Sequence, residues 1–339
     1  MHVRASTVPP VTTRLHLGAA VDLASATCQP AEMRRSSIRR FLTSATCAGL
    51  LLLVRAPAAD AWGEYGHRLT GAAAAAALPP EMPAFFRKAG AQLAYLNPEP
   101  DRWRERAERE LDPALDGATA PEHFIDLERI PADRQAGALA APTRFAYADT
   151  LRTLGLAPAT VGVLPFRIVE LTQQLRIDFR RWRLANDTTR AWIEQRIIDD
   201  AGILGHYVAD GANPAHVSRH FNGWVGDNPR GFTTDNTFHS RFETAFVQGR
   251  IRPADVTPLV GRTATVVGDL RPGVLAYLHR TGTELTHLYE LEQASPFTAE
   301  NTDPAHARFA AERLAAGATM LRDLWWTAWV TSGLPVEKR

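Results

Sequence analysis

AGILGHYVADGANPAH, residues 201–216, holds the spacing on which the reading of the chain turns. Its apolar residues continue a three-four periodicity that predicts a helix over Thr188–Gly211. His206 and Asp210 stand four apart inside that helix, so both side chains leave one face. Pro214 cannot continue the helix, and the chain turns before it presents His216. A helix face followed by a residue beyond a turn aims donors at neighbouring metal positions instead of a single one.

The helical reading spreads outward in both directions. Three-four spacing predicts helices over His67–Leu78, Glu81–Leu93, Thr143–Leu154, Leu164–Leu184, Asp235–Val247, Pro272–Glu292 and Thr302–Thr331. Pro- and Gly-rich stretches such as LPPEMP and NGWVGDNPRGF punctuate them. No alternating pattern lasts long enough for a sheet, and no repeat period shows. The expectation is one all-α, multi-helix domain.

Residues 1–61 read differently. Arg34, Arg35, Arg39 and Arg40 precede an apolar run, Ala45–Val54, that is short for a bilayer, and Ala59-Asp60-Ala61 offers a small-x-small cleavage pattern. This is the pattern of a leader and secretory signal cut after Ala61, with Met33 an alternative start. A membrane anchor is the competing reading. Secretion or a periplasmic location follows from the first. Both cysteines, Cys28 and Cys47, fall in the leader, so residues 62–339 carry no disulfide. They hold 31 basic and 34 acidic side chains, a balance that argues against extended backbone-driven binding of long nucleic acid.

FHSRFE, residues 238–243, supplies a second His–carboxylate pair at helical spacing, His239 and Glu243. Imidazole nitrogen and carboxylate oxygen are donors that zinc accepts. Any one of these histidines alone reads as a core or surface residue, as His279, His287 and His306 do. Two such pairs with His216 between them point to metal.

The pattern resembles the zinc-dependent phospholipase C and single-strand-specific nuclease superfamily, secreted all-α hydrolases that hold three zinc ions. HxxxDxxxxxH is matched by His206, Asp210 and His216, and the following Hxxx(D/E) by His239 and Glu243. WGEYGH supplies an N-terminal Trp62 once the leader is cut, with His67 five residues on. PDRWR and PEHFIDLE supply Asp101 and His123, at an interval longer than the family's. The resemblance implies one zinc on Asp101, His123, His206 and Asp210, and a second on His216, His239 and Glu243. A third would take the Trp62 amine and carbonyl, His67 and a bridging Asp210. It also implies a phosphodiesterase, with Asp101 a proton acceptor. Asp126, near His123, reads equally as a supporting or a surface acid.

Substrate signals diverge. Glu243 and the absence of cysteines resemble the phospholipase C branch, whereas the Trp62–His67 gap and the long His216–His239 interval resemble the nucleases. The partner expected is therefore a phosphodiester, either a phospholipid head group or single-stranded nucleic acid, with no protein partner implied. Tyr65, Phe124, Phe221, Trp224 and Phe232 are aromatic candidates for an acyl or base contact, or plain core. Trp325, Trp326 and Trp329 fit peripheral contact with a membrane surface or, by their spacing, a buried stripe. A non-catalytic, zinc-stabilised binding protein is the alternative from another class. Extending the chain by a residue ahead of Trp62 should lower its zinc content, because a peptide nitrogen is a poor ligand; an unchanged metal count would overturn this role for Trp62.

Overall fold

In the computed structural model, which describes residues 62–335, helices account for all regular structure and no β-strand occurs among those residues. The fold class is all-α. The described residues fall within one compact unit. The leader proposed for 1–61 lies outside them.

Six helices position the site: α1 (Gly63–Ala76), α2 (Gly90–Leu96), α3 (Leu164–Leu184), α4 (Asp187–Asp210), α5 (Leu270–Thr283) and α6 (Pro304–Ser332). Each of the long ones starts where its sequence requires. Pro165 occupies the first turn of α3, where a missing N–H costs nothing. The Asn186 side chain accepts from Thr189 N at 3.0 Å to cap α4, and the Asp303 side chain accepts from Ala305 N at 2.8 Å to cap α6.

Only Ala185 and Asn186 separate α3 from α4, so the two return on each other as an antiparallel pair. Gln174 reaches Asp200, and Trp182 reaches Glu194, each at 2.9 Å. The apolar faces of the pair (Leu171, Leu175 and Phe179; Ile197, Ala201 and Leu204) are buried with Leu314, Leu321 and Trp325 of α6. Trp325 is fully enclosed and donates its indole N–H to Ala201 O at 3.1 Å. Trp326 and Trp329 pack against the same core. The tryptophan stripe is thus core at Trp325 and part-buried at Trp326 and Trp329.

Small residues set the closest approach. A Cβ at Gly202 would lie 2.4 Å from Leu96 Cβ, and one at Gly205 would lie 2.1 Å from Asn97 Nδ2. Glycine at both positions lets α4 close against the end of α2 and brings the Asn97 carbonyl within reach of His206.

Three expected helices are interrupted. Glu81–Leu93 divides at Ala89 into Ala84–Lys88 and α2. Pro272–Glu292 divides at Glu284 into α5 and Leu285–Ala294. The segment expected to start at Asp235 begins at Phe238 and passes through a π-helical turn, Arg241–Phe246. Among the described residues no helix is long and apolar enough to cross a membrane.

One acid pair sits between α3 and α4. Burial pushes the Asp178 carboxyl up to about 6, and the adjacent Asp200 carboxylate adds to the effect. A carboxyl whose folded pKa exceeds its unfolded value gives stability that is present at low pH and lost as pH rises through the folded pKa. Because Asp178 is only part-buried, screening limits the loss to ~1 kcal/mol. Asp178→Asn should therefore raise the melting temperature at about pH 7.5 but not at about pH 4. Equal shifts at both would show that the pair shares no proton.

Candidate metal centre

Five imidazoles and three carboxylates converge around the C-terminal end of α4. His206 and Asp210, one turn apart, are both fully buried. Asn213 then turns the chain, its side chain accepting from Ala215 N at 3.0 Å, and the short 3-10 segment Pro214–Val217 presents His216. A second 3-10 segment, Ala120–His123, carries His123. His239 and Glu243 come from the π-helical region, with His239 Nε2 and Glu243 Oε2 2.6 Å apart. His67 projects from α1, and Asp101 from the short helix Glu99–Arg102.

The donor atoms fall into three groups. His216 Nε2 lies 3.1 Å from His239 Nε2 and 3.6 Å from Glu243 Oε2. Asp210 Oδ2 lies 3.1 Å from His123 Nδ1 and 3.3 Å from His206 Nε2, and those two nitrogens are 2.9 Å apart. The third group joins His67, Asp101 and His206. In it His67 Nε2 is 3.8 Å from Asp101 Oδ2, and it also lies 3.4 Å from Asp210 Oδ1. Asp101 Oδ1 stands 3.7 Å from both His123 Nδ1 and His206 Nε2.

All eight side chains named from the sequence are therefore brought together. Trp62 meets the cluster through Glu243. Its backbone nitrogen donates to Glu243 Oε2 at 3.0 Å, beside the His216 group, and its carbonyl accepts from Gly66 N at 3.1 Å. In the continuous chain this nitrogen is an amide donor and seeks a carboxylate. Trp62 is fully buried, in a left-handed backbone conformation, with its indole N–H donating to Ala209 O at 2.7 Å.

Do these residues fit metal? His67 Nδ1 and Nε2, His123 Nε2, Asp210 Oδ1 and Glu243 Oε1 are buried and make no hydrogen bond among the described residues. Each such group costs ~1–3 kcal/mol unless something else satisfies it. Donors bound to one tetrahedral ion at 2.0–2.1 Å lie ~3.4 Å apart, within the spread observed here. The supporting hydrogen bonds also fix the rings. His206 Nδ1 donates to Asn97 O at 3.0 Å, and His216 Nδ1 donates to His123 O at 2.7 Å. Both leave Nε2 facing the cluster, the carbonyl-oriented arrangement usual for metal-binding histidine. These buried groups can hold metal ions.

The electrostatics agree. Burial holds the His67 imidazole well below its ordinary range and brings His123 down to about 4, so both are neutral donors. Burial also opposes charge on His206 and His216, but Asp210 together with Asp101 at the first and with Glu243 at the second overcomes it, and His216 is raised to about 9. Asp210 resists its own burial through His206 and His216 and stays well below the carboxylate range. The cluster is thus a strong sink for positive charge, which protons or metal ions can fill.

His123, His216, His239 and Glu243 line a pocket of about 350 Å³. Arg104, Phe124, Asp126, Phe221 and Asn222 form much of its remaining wall. Of the aromatic candidates, Phe124 and Phe221 reach it. Trp224 stacks on His220 at 4.0 Å, Phe232 is core, and the Tyr65 hydroxyl donates to Ile251 O at 2.9 Å. Asp126 is buried rather than a surface acid; burial raises its carboxyl, and Arg129 Nε lies 2.5 Å away.

Sequence reasoning missed several supports. Glu122, adjacent to His123, is buried and meets Arg144 at 2.6 Å, Arg167 at 3.1 Å and the Tyr207 hydroxyl at 3.0 Å, anchoring that 3-10 turn to α3 and α4. Asn213 Nδ2 donates to Glu243 Oε2 at 3.1 Å. An acid beside a candidate ligand was visible in PEHF, but its distant arginine partners were not.

No protein-family model, curated protein or solved structure matches this chain. Chelation should lower the melting temperature by roughly 10 °C, and added zinc should restore it. The double variant His123→Ala/His206→Ala should show a smaller response and a lower metal content by elemental analysis. A melting curve indifferent to chelator in a protein purified with zinc would exclude a structural role for metal.

Proposed function

We propose that the protein is a zinc-dependent hydrolase of phosphate diesters, related to the phospholipase C and nuclease superfamily that its motifs resemble. The observation that carries this reading is the juxtaposition of three His–carboxylate groups with a pocket that four of their residues line. Three zinc ions are proposed. His216, His239 and Glu243 would hold one, His123, His206 and Asp210 another, and His67 with Asp101 a third next to Asp210. When bound, zinc supplies Lewis acidity, neutralising phosphoryl charge and acidifying water towards a pKa of ~7.

The chain's own residues supply the remainder. Arg104, on the pocket wall and 3.3 Å from Asp116, offers a guanidinium to a non-bridging phosphate oxygen. Phe124 and Phe221 form an apolar wall that limits water around the diester. Asp101, whose carboxylate faces three imidazoles, is the proton acceptor in this reading, and Asp126 is an acid on the pocket wall that can pass a proton to the departing oxygen. Such a site needs no Ser or Cys nucleophile. Export to the periplasm or beyond is proposed from the leader's sequence.

The zinc-loaded protein should hydrolyse bis(p-nitrophenyl) phosphate. Asp210→Asn, which removes the charge shared by the histidines, should lower kcat by on the order of hundredfold. Arg104→Ala should mainly raise KM, by about tenfold. A wild-type protein that binds zinc and turns over no diester would favour the binding-protein reading instead.

A further inference from the structure

Between Asp101 and His123 the chain makes an excursion that the metal groups do not require. Residues 105–118 form two short helices, Arg106–Leu111 and most of Ala114–Thr119. The first buries none of its residues, and the second buries only Thr119. Glu105 caps the first by accepting from Glu108 N at 2.9 Å. Arg104 and Arg109 approach Asp116 at 3.3 and 3.8 Å and tie the two limbs together. At the turn Leu111 is 81% exposed and Leu115 46% exposed.

The place of this hairpin gives those leucines meaning. Its two roots, Arg104 and Ala120, both line the pocket. Phe221, on the pocket wall, is 45% exposed, and nearby in sequence Val225 is 51% exposed. Single exposed leucines are ordinary, but two on a hairpin whose roots line a pocket with an exposed aromatic wall are placed for contact. The charge of the hairpin narrows the partner. It carries five acids and two arginines, and Glu105, Glu108 and Asp112 make no ion pair among the described residues. A polyanion such as nucleic acid is repelled by this rim. A zwitterionic phospholipid layer complements it, because its outward ammonium groups meet the carboxylates while the leucines reach the acyl boundary.

We propose that residues 105–118 are a docking flap that seats the pocket on a zwitterionic phospholipid surface through Leu111 and Leu115. That the flap serves catalysis rests on the diester-hydrolase reading; the docking itself does not. Binding to vesicles of a phosphonate analogue of phosphatidylcholine, whose P–C bond resists cleavage, is the direct test, with the zinc-loaded protein in a sedimentation assay. Leu111→Asp/Leu115→Asp should bind at least about tenfold more weakly, and Leu111→Trp/Leu115→Trp more tightly. Leu184→Asp, at an exposed position on the α3–α4 turn, should bind like wild type. All should hydrolyse soluble bis(p-nitrophenyl) phosphate alike, which also reports that they fold. Equal vesicle binding by the aspartate and wild-type proteins would overturn the flap, as would a wild type that binds a single-stranded oligonucleotide and not the vesicles. Vesicle binding that follows the leucines, without soluble-diester hydrolysis, would support the flap and defeat the hydrolase reading alone.

Discussion

The carboxylate of Asp210 is the constraint around which the centre is arranged. It is fully buried and occupies the last residue of α4, where the helix already presents its negative end. No basic residue lies in the last turn of that helix. Burial, the macrodipole and two further carboxylates nearby all oppose a negative charge there. The imidazoles of His67, His123, His206 and His216 answer it from the surrounding elements. They can do so as protonated rings or as ligands to shared cations, and the neutrality of His67 and His123 favours the second arrangement. A core of this type is stable only when its charge is closed, so the filling of the cluster, by protons or by metal ions, is coupled to folding.

Placing those rings depends on backbone features more than on side-chain choice. Gly202 and Gly205 remove the Cβ atoms that would hold Leu96 and Asn97 off, and the Asn97 carbonyl then fixes the His206 tautomer. The carbonyl of His123 orients the ring of His216, which links two of the His–carboxylate groups mechanically. The π-helical turn at Arg241–Phe246 lets Glu243 accept from Trp62 N and Asn213 Nδ2 while still facing His239. π-Turns of this kind recur at functional sites because they redirect one side chain without ending the helix.

These features explain what was legible in the sequence and what was not. His206 with Asp210, and His239 with Glu243, could be read because four-residue spacing on a helix is a local property. The long helices Leu164–Leu184 and Asp187–Asp210 were legible for the same reason. The π-turn and the breaks at Ala89 and Glu284 were not, since the three-four apolar spacing runs on through all three. The contact of Trp62 N with Glu243 spans 181 residues and leaves no local signal. The unusual Asp101–His123 interval was visible as a number, but only its exposure showed it to be an excursion and not part of the core.

The site is therefore layered, and the layering bears on how the proposed chemistry divides. The pocket is walled by His123, His216, His239 and Glu243, whereas His67, His206 and Asp210 stand behind them. A substrate entering the pocket meets the His216 group and the outer edge of the His123 group. The inner residues then act mainly by fixing charge and geometry. Arg104 and Ala120 join this wall to the exposed hairpin, so the segment that carries Asp101 and His123 at its two ends also shapes the mouth. In the proposed chemistry, substrate choice can thus vary through the hairpin and the Phe221 rim without disturbing the buried charge balance, because neither contributes a donor to it.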